Sequence, residues 1–406
     1  MLSARTLDNA IFNNELNDFC RKYLIKRPIE PTSYEIALFP DRYIAMKSIL
    51  FENFILHDEV NFKVEGENLP LCIMLNEIGL KGIEELAEQR ALSFTLWNPI
   101  ILKAEQNIEG VWPLCYGRLS EGPYIDPEES IELGLKFMTN PLKRGEARVL
   151  KRKLRDYYIP VPKGLEQSAV EFAHSALDSG KFERLGLKLN DRGKDELSSS
   201  EKSLLLNCAN DLLGYNYVAC KHASTSSTSN IQTLLEDSFT KKNHISKEGV
   251  FSTILEFEKF PDIKKAFESM GQPMDELIKL RSHKNSKKFR SWVNSIDKAT
   301  SPMEVLQIYN DGIANPKGFF ETGWGKATKY VSMGFLGYYT GQYITPEVGS
   351  QLMPYIGTTL GTALASPATD VIFDAADKYF ISQITQGWTP KLFIDDIKKL
   401  NFKYKV

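Results

Sequence analysis

Two runs of basic residues carry the side chains best suited to binding chemistry in this sequence. The first run extends from Leu142 to Tyr158, and four of its cations recur at intervals of four, three and four residues. This spacing places side chains on one face of an α-helix. The four cations are Arg144, Arg148, Lys151 and Arg155. Their charges predict a site for a phosphate-bearing ligand or an oligonucleotide.

A second basic run precedes Trp292 in the stretch LRSHKNSKKFRSWV. Its candidate ligand-binding residues are Lys287, Lys288 and Arg290, and Trp292 offers an aromatic plane beside them. The alternative for both runs is a solvated helix surface, which is what runs of charge usually form.

Acidic residues lie just upstream of the first basic run. They are Asp126, Glu128, Glu129 and Glu132. Two explanations remain open, paired carboxylates with a chemical role or acidic residues that favour the positive end of a helix. We favour the second explanation.

No familiar catalytic motif is present. The sequence lacks a P-loop, a dinucleotide-binding glycine pattern, a zinc-protease helix motif and a nucleophile elbow. The five histidines are scattered, and the five cysteines are widely spaced, odd in number and typical of reduced, buried thiols. We therefore assign no catalytic residue, expect neither a metal nor a cofactor, and favour a non-enzymatic protein while leaving activity open.

The elements that must position these residues are mixed in type. Residues 48–64 are typical of one or two strands, residues 71–89 of two helices separated at Gly79, and residues 92–101 of a strand. The prolines and glycines of 113–127 indicate a loop, and the pattern from 246 to 310 is helical. The predicted fold class is α+β, with a mixed α/β N-terminal module and a mainly helical middle and C-terminal part.

The length of 406 residues predicts two or three domains. We place an α/β module at 1–140, a basic, mainly helical region at 141–222, a helical region at 231–325, and a glycine-rich hairpin with a C-terminal helix at 326–406. The polar stretch ASTSSTSN before the third region is typical of a linker. The net charge of −2 gives no whole-protein field that would attract nucleic acid.

The strongest compositional anomaly is the segment from Tyr330 to Thr369, in which Glu347 is the only charged residue. A breaker at Thr345-Pro346-Glu347 divides it, which predicts a helical hairpin. Small residues recur every four positions in both halves, a spacing that lets helix backbones approach closely. These residues are Gly337, Gly341, Gly357, Gly361 and Ala365.

Two environments suit such a hairpin. The first is a membrane, although the first half is shorter than the roughly 20 apolar residues that a bilayer-spanning helix needs. The second is a tight protein interface within one chain or between protomers. The N-terminus lacks the continuous apolar region of a secretory signal, so we expect a cytoplasmic chain with a possible association with the inner membrane.

The order of these parts resembles that of uncharacterised bacterial proteins. The features that carry the resemblance are the α/β module, the element Phe289-Arg290-x-Trp292, the glycine-rich hairpin and the stretch GWTPKLFIDDI after it. The same order is similar to membrane-effector subunits of anti-phage defence systems, such as the Hailong-type channel effector. The resemblance implies an oligomeric membrane effector, in one form an ion channel, that is controlled by a nucleotide signal.

The leading hypothesis is therefore an oligomeric, membrane-associated effector of bacterial antiviral defence. A nucleotide or oligonucleotide signal, or a partner protein that supplies or senses one, would regulate it. The alternatives are a soluble interaction protein that uses the glycine-rich hairpin as an obligate interface, and an unrecognised enzyme acting on nucleic acid. Both leading hypotheses predict a homo-oligomer.

Overall fold

The computed structural model describes residues 50–185 except 137 and 139, then 196–221, 247–259, 273–296, 302–314 and 388–401. It also describes residues 4–7, 47, 239–240 and 343–344. Within these ranges the fold is α+β, as the sequence predicts: helices dominate, and a small parallel sheet lies among them.

The parallel sheet has four strands in the order β1-β2-β3-β6. They are β1 Ala4–Leu7, β2 Glu59–Val64, β3 Leu92–Leu96 and β6 Tyr158–Pro160. All three pairings are parallel, with Phe62 opposite Phe94 and Phe94 opposite Tyr158. Two short antiparallel pairs complete the strands, β4 Pro99–Lys103 with β5 Leu114–Arg118, and β7 Phe239–Thr240 with β8 Tyr343–Ile344.

Twelve helices accompany these strands in the described ranges. The first five are α1 at residues 50–56, α2 Leu69–Glu88, α3 Gly122–Ile125, α4 Pro127–Lys136 and α5 Arg144–Leu154. Next come α6 Leu165–Asp178, α7 Ser199–Cys220 and α8 Lys247–Phe257. The last four are α9 Pro273–Ser282, α10 Lys284–Ser295, α11 Pro302–Ala314 and α12 Pro390–Asn401.

Two predictions of local structure need correction. Residues 50–56 form helix α1 and not a strand, because Leu50, Phe51, Phe54 and Ile55 recur at helical spacing and are all buried. Residues 113–127 are not a continuous loop, since β5 pairs with β4 there and α3 follows it. The predicted break at Gly79 is confirmed. Its φ of 68° is not helical, and α2 is kinked at this residue.

The two faces of the sheet differ in chemistry because side chains alternate along a strand. Val60, Phe62 and Phe94 point into the first core, a cluster that also draws apolar side chains from α1, α2 and α8 to α12. The second core lies among α6, α7, β4 and β5 and includes Trp97 and Tyr217. The first core thus takes residues from segments that are far apart in the sequence, and the division into four domains stays a prediction.

Candidate functional site

The basic helix α5 forms where the sequence predicts it. Leu150 and Leu154 anchor it in the first core, while its cations face outwards. Two of the four predicted cations are paired with α4: Lys151 Nζ lies 2.8 Å from a carboxylate oxygen of Glu132, and Arg155 Nη1 lies 3.5 Å from one of Glu128. The upstream acidic residues therefore partly neutralise the basic helix.

The other two predicted cations of α5 have no ion-pair partner among the described residues, whereas Lys153 pairs with Glu84 at 2.9 Å. Arg144 and Arg148 are exposed, and neither has an ion-pair partner among the described residues. Arg152, four residues further on, shares that property and extends the row. The free cationic face of α5 is thus Arg144, Arg148 and Arg152, whereas the sequence predicted a face continued by Lys151 and Arg155.

Arg290 of the second basic run lies inside the fold. Only 4% of its surface is exposed, and its Nε lies 3.3 Å from a carboxylate oxygen of Asp58. Its guanidinium also donates to the carbonyl oxygens of Ile55 and Arg281, at 3.4 Å each. These contacts use its charge and its donors within the protein, so Arg290 holds α10 against the end of α1.

Arg281, which belongs to the same basic run, joins this cluster. It is 2% exposed and donates to the carbonyl oxygen of His57 at 2.8 Å, and to those of Phe54 and Asp58. Burial, followed by repulsion from Arg290, lowers the pKa of Arg281 to about 9, against the opposing effect of Asp58. The last carbonyl groups of a helix receive no hydrogen bond from within that helix. At the end of α1, Arg281 and Arg290 donate to such carbonyl groups.

The two candidate lysines of the second run, Lys287 and Lys288, differ in environment. Lys287 is exposed, while Lys288 is largely buried, with its Nζ 6.0 Å from the centroid of the Trp388 ring. Trp292, which the sequence offered as the aromatic plane, is buried in the first core beside Phe289 and Tyr309. The aromatic ring beside Lys288 therefore belongs to Trp388, which lies 100 positions further along the chain.

The element Phe289-Arg290-x-Trp292 is a packing unit. The Phe289 ring stacks on Phe393 of α12 with a centroid distance of 4.2 Å, and Arg290 binds Asp58. These residues connect α10 to the C-terminal helix and to the start of β2.

Helix α12 is docked by a charged cluster centred on Glu258. The carboxylate accepts hydrogen bonds from Lys391 at 2.9 Å, from Lys398 at 2.6 Å and from the hydroxyl of Tyr309 at 2.8 Å. Burial raises the pKa of Glu258, but the bonds from Lys398, Lys391 and Tyr309 outweigh it and hold the pKa at about 2. Phe393, Ile394 and Ile397 of α12 are buried in the first core beneath this cluster.

A row of polar side chains crosses the face of the sheet that looks towards α7. Asn61 donates to Ser93 at 2.8 Å, Thr95 donates to Asn61 at 3.0 Å, and Ser93 donates to Glu59. The Tyr217 hydroxyl forms hydrogen bonds with the side chains of both Thr95 and Asn61. Sequence reasoning missed this row, although the alternation of polar residues in EVNFKV and LSFTL is a signal for it. Each hydroxyl is used inside the network, which supports a role in fixing α7 on the sheet.

The cysteines and histidines form no reactive cluster within the described ranges. Burial raises the pKa of the Cys72 and Cys208 thiols to about 12, which disfavours the nucleophilic thiolate. His174 stacks on Trp112 with a centroid distance of 4.0 Å, and His283 Nδ1 lies 3.7 Å from Asp396. No group of three or more metal-binding side chains occurs among the described residues.

The predicted helix-packing residues, Gly337, Gly341, Gly357, Gly361 and Ala365, lie outside the described residues. The described part of their segment is Tyr343–Ile344, which pairs antiparallel with Phe239–Thr240. The helical hairpin stays a prediction.

Among the residues that the structure describes, no helix combines the length and apolar character needed to cross a bilayer. Comparisons of the chain with protein-family models, with curated proteins and with solved structures give no match.

Proposed function

We propose that this chain is an oligomeric, membrane-associated effector of a bacterial defence system, in one form an ion channel. In this proposal the segment from Tyr330 to Thr369 contacts the membrane, and the folded part responds to a nucleotide or oligonucleotide signal or to a partner protein. The link to defence rests on the order of parts in the sequence. The link between the folded part and the segment rests on the structure of its two flanks.

The observation that carries the proposal is that both flanks of residues 315–387 are fixed to the same core. Helix α11 ends at Ala314, and α12 begins at Pro390, two residues after Trp388. Tyr309 of α11 and Lys391 of α12 bind the same carboxylate, that of Glu258. We call residues 315–387 the insertion, and the two helices that flank it meet at the carboxylate of Glu258.

This arrangement gives a physical route from the folded part to the segment. A ligand shifts a conformational equilibrium only if it binds one arrangement better than the other. A change in the packing of α10, α11 and α12 alters both attachment points of the insertion together, because these helices share the first core. A signal bound near α10 therefore acts on the insertion without touching it.

The structure also determines which deletion can test the proposal. A truncation after Lys329 would remove α12, including the buried side chains of Phe393, Ile394 and Ile397, and would damage the first core. A better variant replaces residues 330–369 with a Gly/Ser stretch of the same length, which keeps α12 and the Glu258 cluster in place. The measurement is membrane fractionation of the expressed chain with a high-salt wash.

We expect the intact chain in the washed membrane pellet and the replacement variant in the supernatant. Equal distribution of the two chains would contradict the proposal. Toxicity on overexpression provides a second readout: Gly357→Leu and Gly361→Leu should remove it by blocking close helix approach. Gly357→Ala is the matched control, because a small side chain still permits that approach.

The second candidate is a soluble interaction protein in which the glycine-rich segment forms an obligate protein interface. The pairing of Tyr343–Ile344 with Phe239–Thr240 favours it, since this pairing places part of the segment against protein. This candidate predicts that the intact chain purifies without detergent as a defined oligomer. The Gly/Ser replacement should then dissociate that oligomer, as measured by light scattering.

A further inference from the structure

The N-terminus of α10 gathers positive charge where a helix ordinarily attracts negative charge. Lys284, Lys287 and Lys288 fall within its first five residues, and no acidic residue occurs in its first turn. The N-terminal end of a helix carries a partial positive charge, so lysines there are unfavourable unless an anion is near. None of these three ammonium groups has a carboxylate partner among the described residues.

The backbone at this end also keeps donors free. His283 occupies the N-cap position, but its side chain makes no capping hydrogen bond. The first bond within the helix runs from the N–H of Lys287 to the carbonyl of His283 at 3.2 Å. The N–H groups of Lys284, Asn285 and Ser286 therefore have no acceptor within the helix.

A second observation, independent of the helix end, comes from Lys288 and Trp388. Lys288 is only 8% exposed, yet its ammonium group has no hydrogen-bond acceptor in the described residues and faces the Trp388 ring. Burial and the charge of Lys284 both lower the pKa of Lys288. Trp388 is 6% exposed, and its indole N–H is buried without an acceptor. A buried donor normally has an acceptor, and the Trp388 indole N–H lacks one.

The nearby carboxylate does not fill this role. Asp396 of α12 accepts a hydrogen bond from Asn285 at 2.7 Å and one from Lys399 at 3.2 Å, and it lies 3.7 Å from His283. Its oxygens are therefore engaged by these three residues. Among the described residues it forms no ion pair with Lys284, Lys287 or Lys288, so their positive charge stays available.

We propose that a phosphoryl group, as inorganic phosphate or a phosphate monoester, binds at the N-terminus of α10 between Lys284 and Lys288. Free N–H groups, ammonium groups and the helix dipole together suit a compact anion with several acceptor oxygens. Lys287 lies at the outer side and adds charge. The burial of Lys288 and Trp388 favours a small anion over a bulky one. The role of this anion as a signal rests on the proposed function, but its binding does not.

The proposed phosphate site lies beside the point where the insertion ends. Trp388 is the first described residue after residues 315–387. An anion beside Lys288 would therefore lie where the insertion rejoins the first core. Phosphate binding and membrane association are measured separately, so the failure of one proposal is distinguishable from the failure of the other.

The test uses the intact chain and inorganic phosphate, titrated by calorimetry at constant ionic strength with chloride as the balancing anion. Lys284→Gln removes an exposed charge, and Lys288→Met removes the charge beside Trp388 while keeping an apolar side chain against that ring. Each should weaken phosphate binding about tenfold or more, since a charge-assisted hydrogen bond is lost. Lys81→Gln, at a highly exposed lysine of α2, is the matched control and should bind as the intact chain does.

A stability measurement separates a binding role from a structural one. In phosphate-free buffer, Lys284→Gln should be at least as stable as the intact chain, because it relieves repulsion at the helix end. With phosphate added, only the intact chain and Lys81→Gln should gain thermal stability.

Lipid headgroups could supply the same phosphoryl chemistry, and vesicles of phosphatidylcholine with phosphatidic acid test that source. Vesicle binding that is lost in Lys284→Gln and competed by inorganic phosphate would support the site and identify a lipid source. Phosphate affinity that is absent in the intact chain, or unchanged in Lys284→Gln, would overturn the proposal. Because Lys284 is exposed, its substitution leaves the fold intact even if Lys288→Met does not fold.

Discussion

The Nζ atom of Lys391 lies 2.9 Å from Oε2 of Glu258, although the two residues are 133 positions apart in the chain. Lys398 and Tyr309 bind the same carboxylate, so one acidic side chain joins α11 and α12 at the end of α8. This cluster holds both flanks of the insertion together, and its loss should be measurable in the stability of the protein.

Glu258→Gln should lower the free energy of unfolding by about 1–3 kcal/mol, because two ammonium groups and a hydroxyl lose a charged acceptor. Urea unfolding followed by circular dichroism measures this difference. Glu276→Gln is the matched control, since among the described residues Glu276 pairs only with the exposed Lys279 of its own helix. Equal stability of the two variants would show that the Glu258 cluster does not hold α12.

The same cluster predicts a pH dependence. The pKa of Glu258 is about 2 in the folded chain and has an ordinary value of 4.5. A folded-state pKa below the unfolded value means that the stabilisation is fully present above pH 4.5 and is lost as the pH falls towards 2. The stability difference between the intact chain and Glu258→Gln should therefore shrink across that window. A constant difference from pH 6 down to pH 3 would contradict this assignment.

Arg281→Lys should destabilise the fold by about 3 kcal/mol, because one ammonium group cannot bind the three carbonyl groups that the guanidinium satisfies. The change should appear as a lower denaturation midpoint in urea. Arg148→Lys on the exposed face of α5 is the control, and its effect should stay within about 0.5 kcal/mol. A tolerated Arg281→Lys would mean that the end of α1 is stabilised by other groups.

Two glycines at helical positions should respond in opposite ways to alanine. A Cβ at Gly134 of α4 would lie 2.8 Å from the carbonyl oxygen of Asn68, so Gly134→Ala should cost about 1–3 kcal/mol. A Cβ at Gly145 of α5 meets no atom within 4 Å. Gly145→Ala should therefore be neutral or stabilise by up to about 1 kcal/mol. Thermal unfolding of both variants compares these outcomes, and equal effects would refute the close contact between α4 and the turn before α2.

Much of the local structure follows from the sequence alone, because local signals determine it. The helical period predicts α2 and α5, and a glycine with positive φ breaks α2 as expected. Ser198 and Glu201 exchange the hydrogen bonds of a capping box at the start of α7, as the serine-rich stretch indicates. The prediction of a strand at residues 50–56 was wrong, because a short apolar run suits a helix and a strand equally well.

The distribution of free charge among the basic residues was decided by the tertiary structure. Lys151 and Arg155 form ion pairs with carboxylates of α4. The charge of Arg290 is neutralised by Asp58, which lies 232 positions away in the chain. Trp388, and not the neighbouring Trp292, stands beside Lys288. The sequence by itself determined where the cations and the uncharged segment lie along the chain, since composition and period are local properties. Only the tertiary structure decided which cations remain available, because an ion pair or a buried site depends on partners that the fold brings from distant positions.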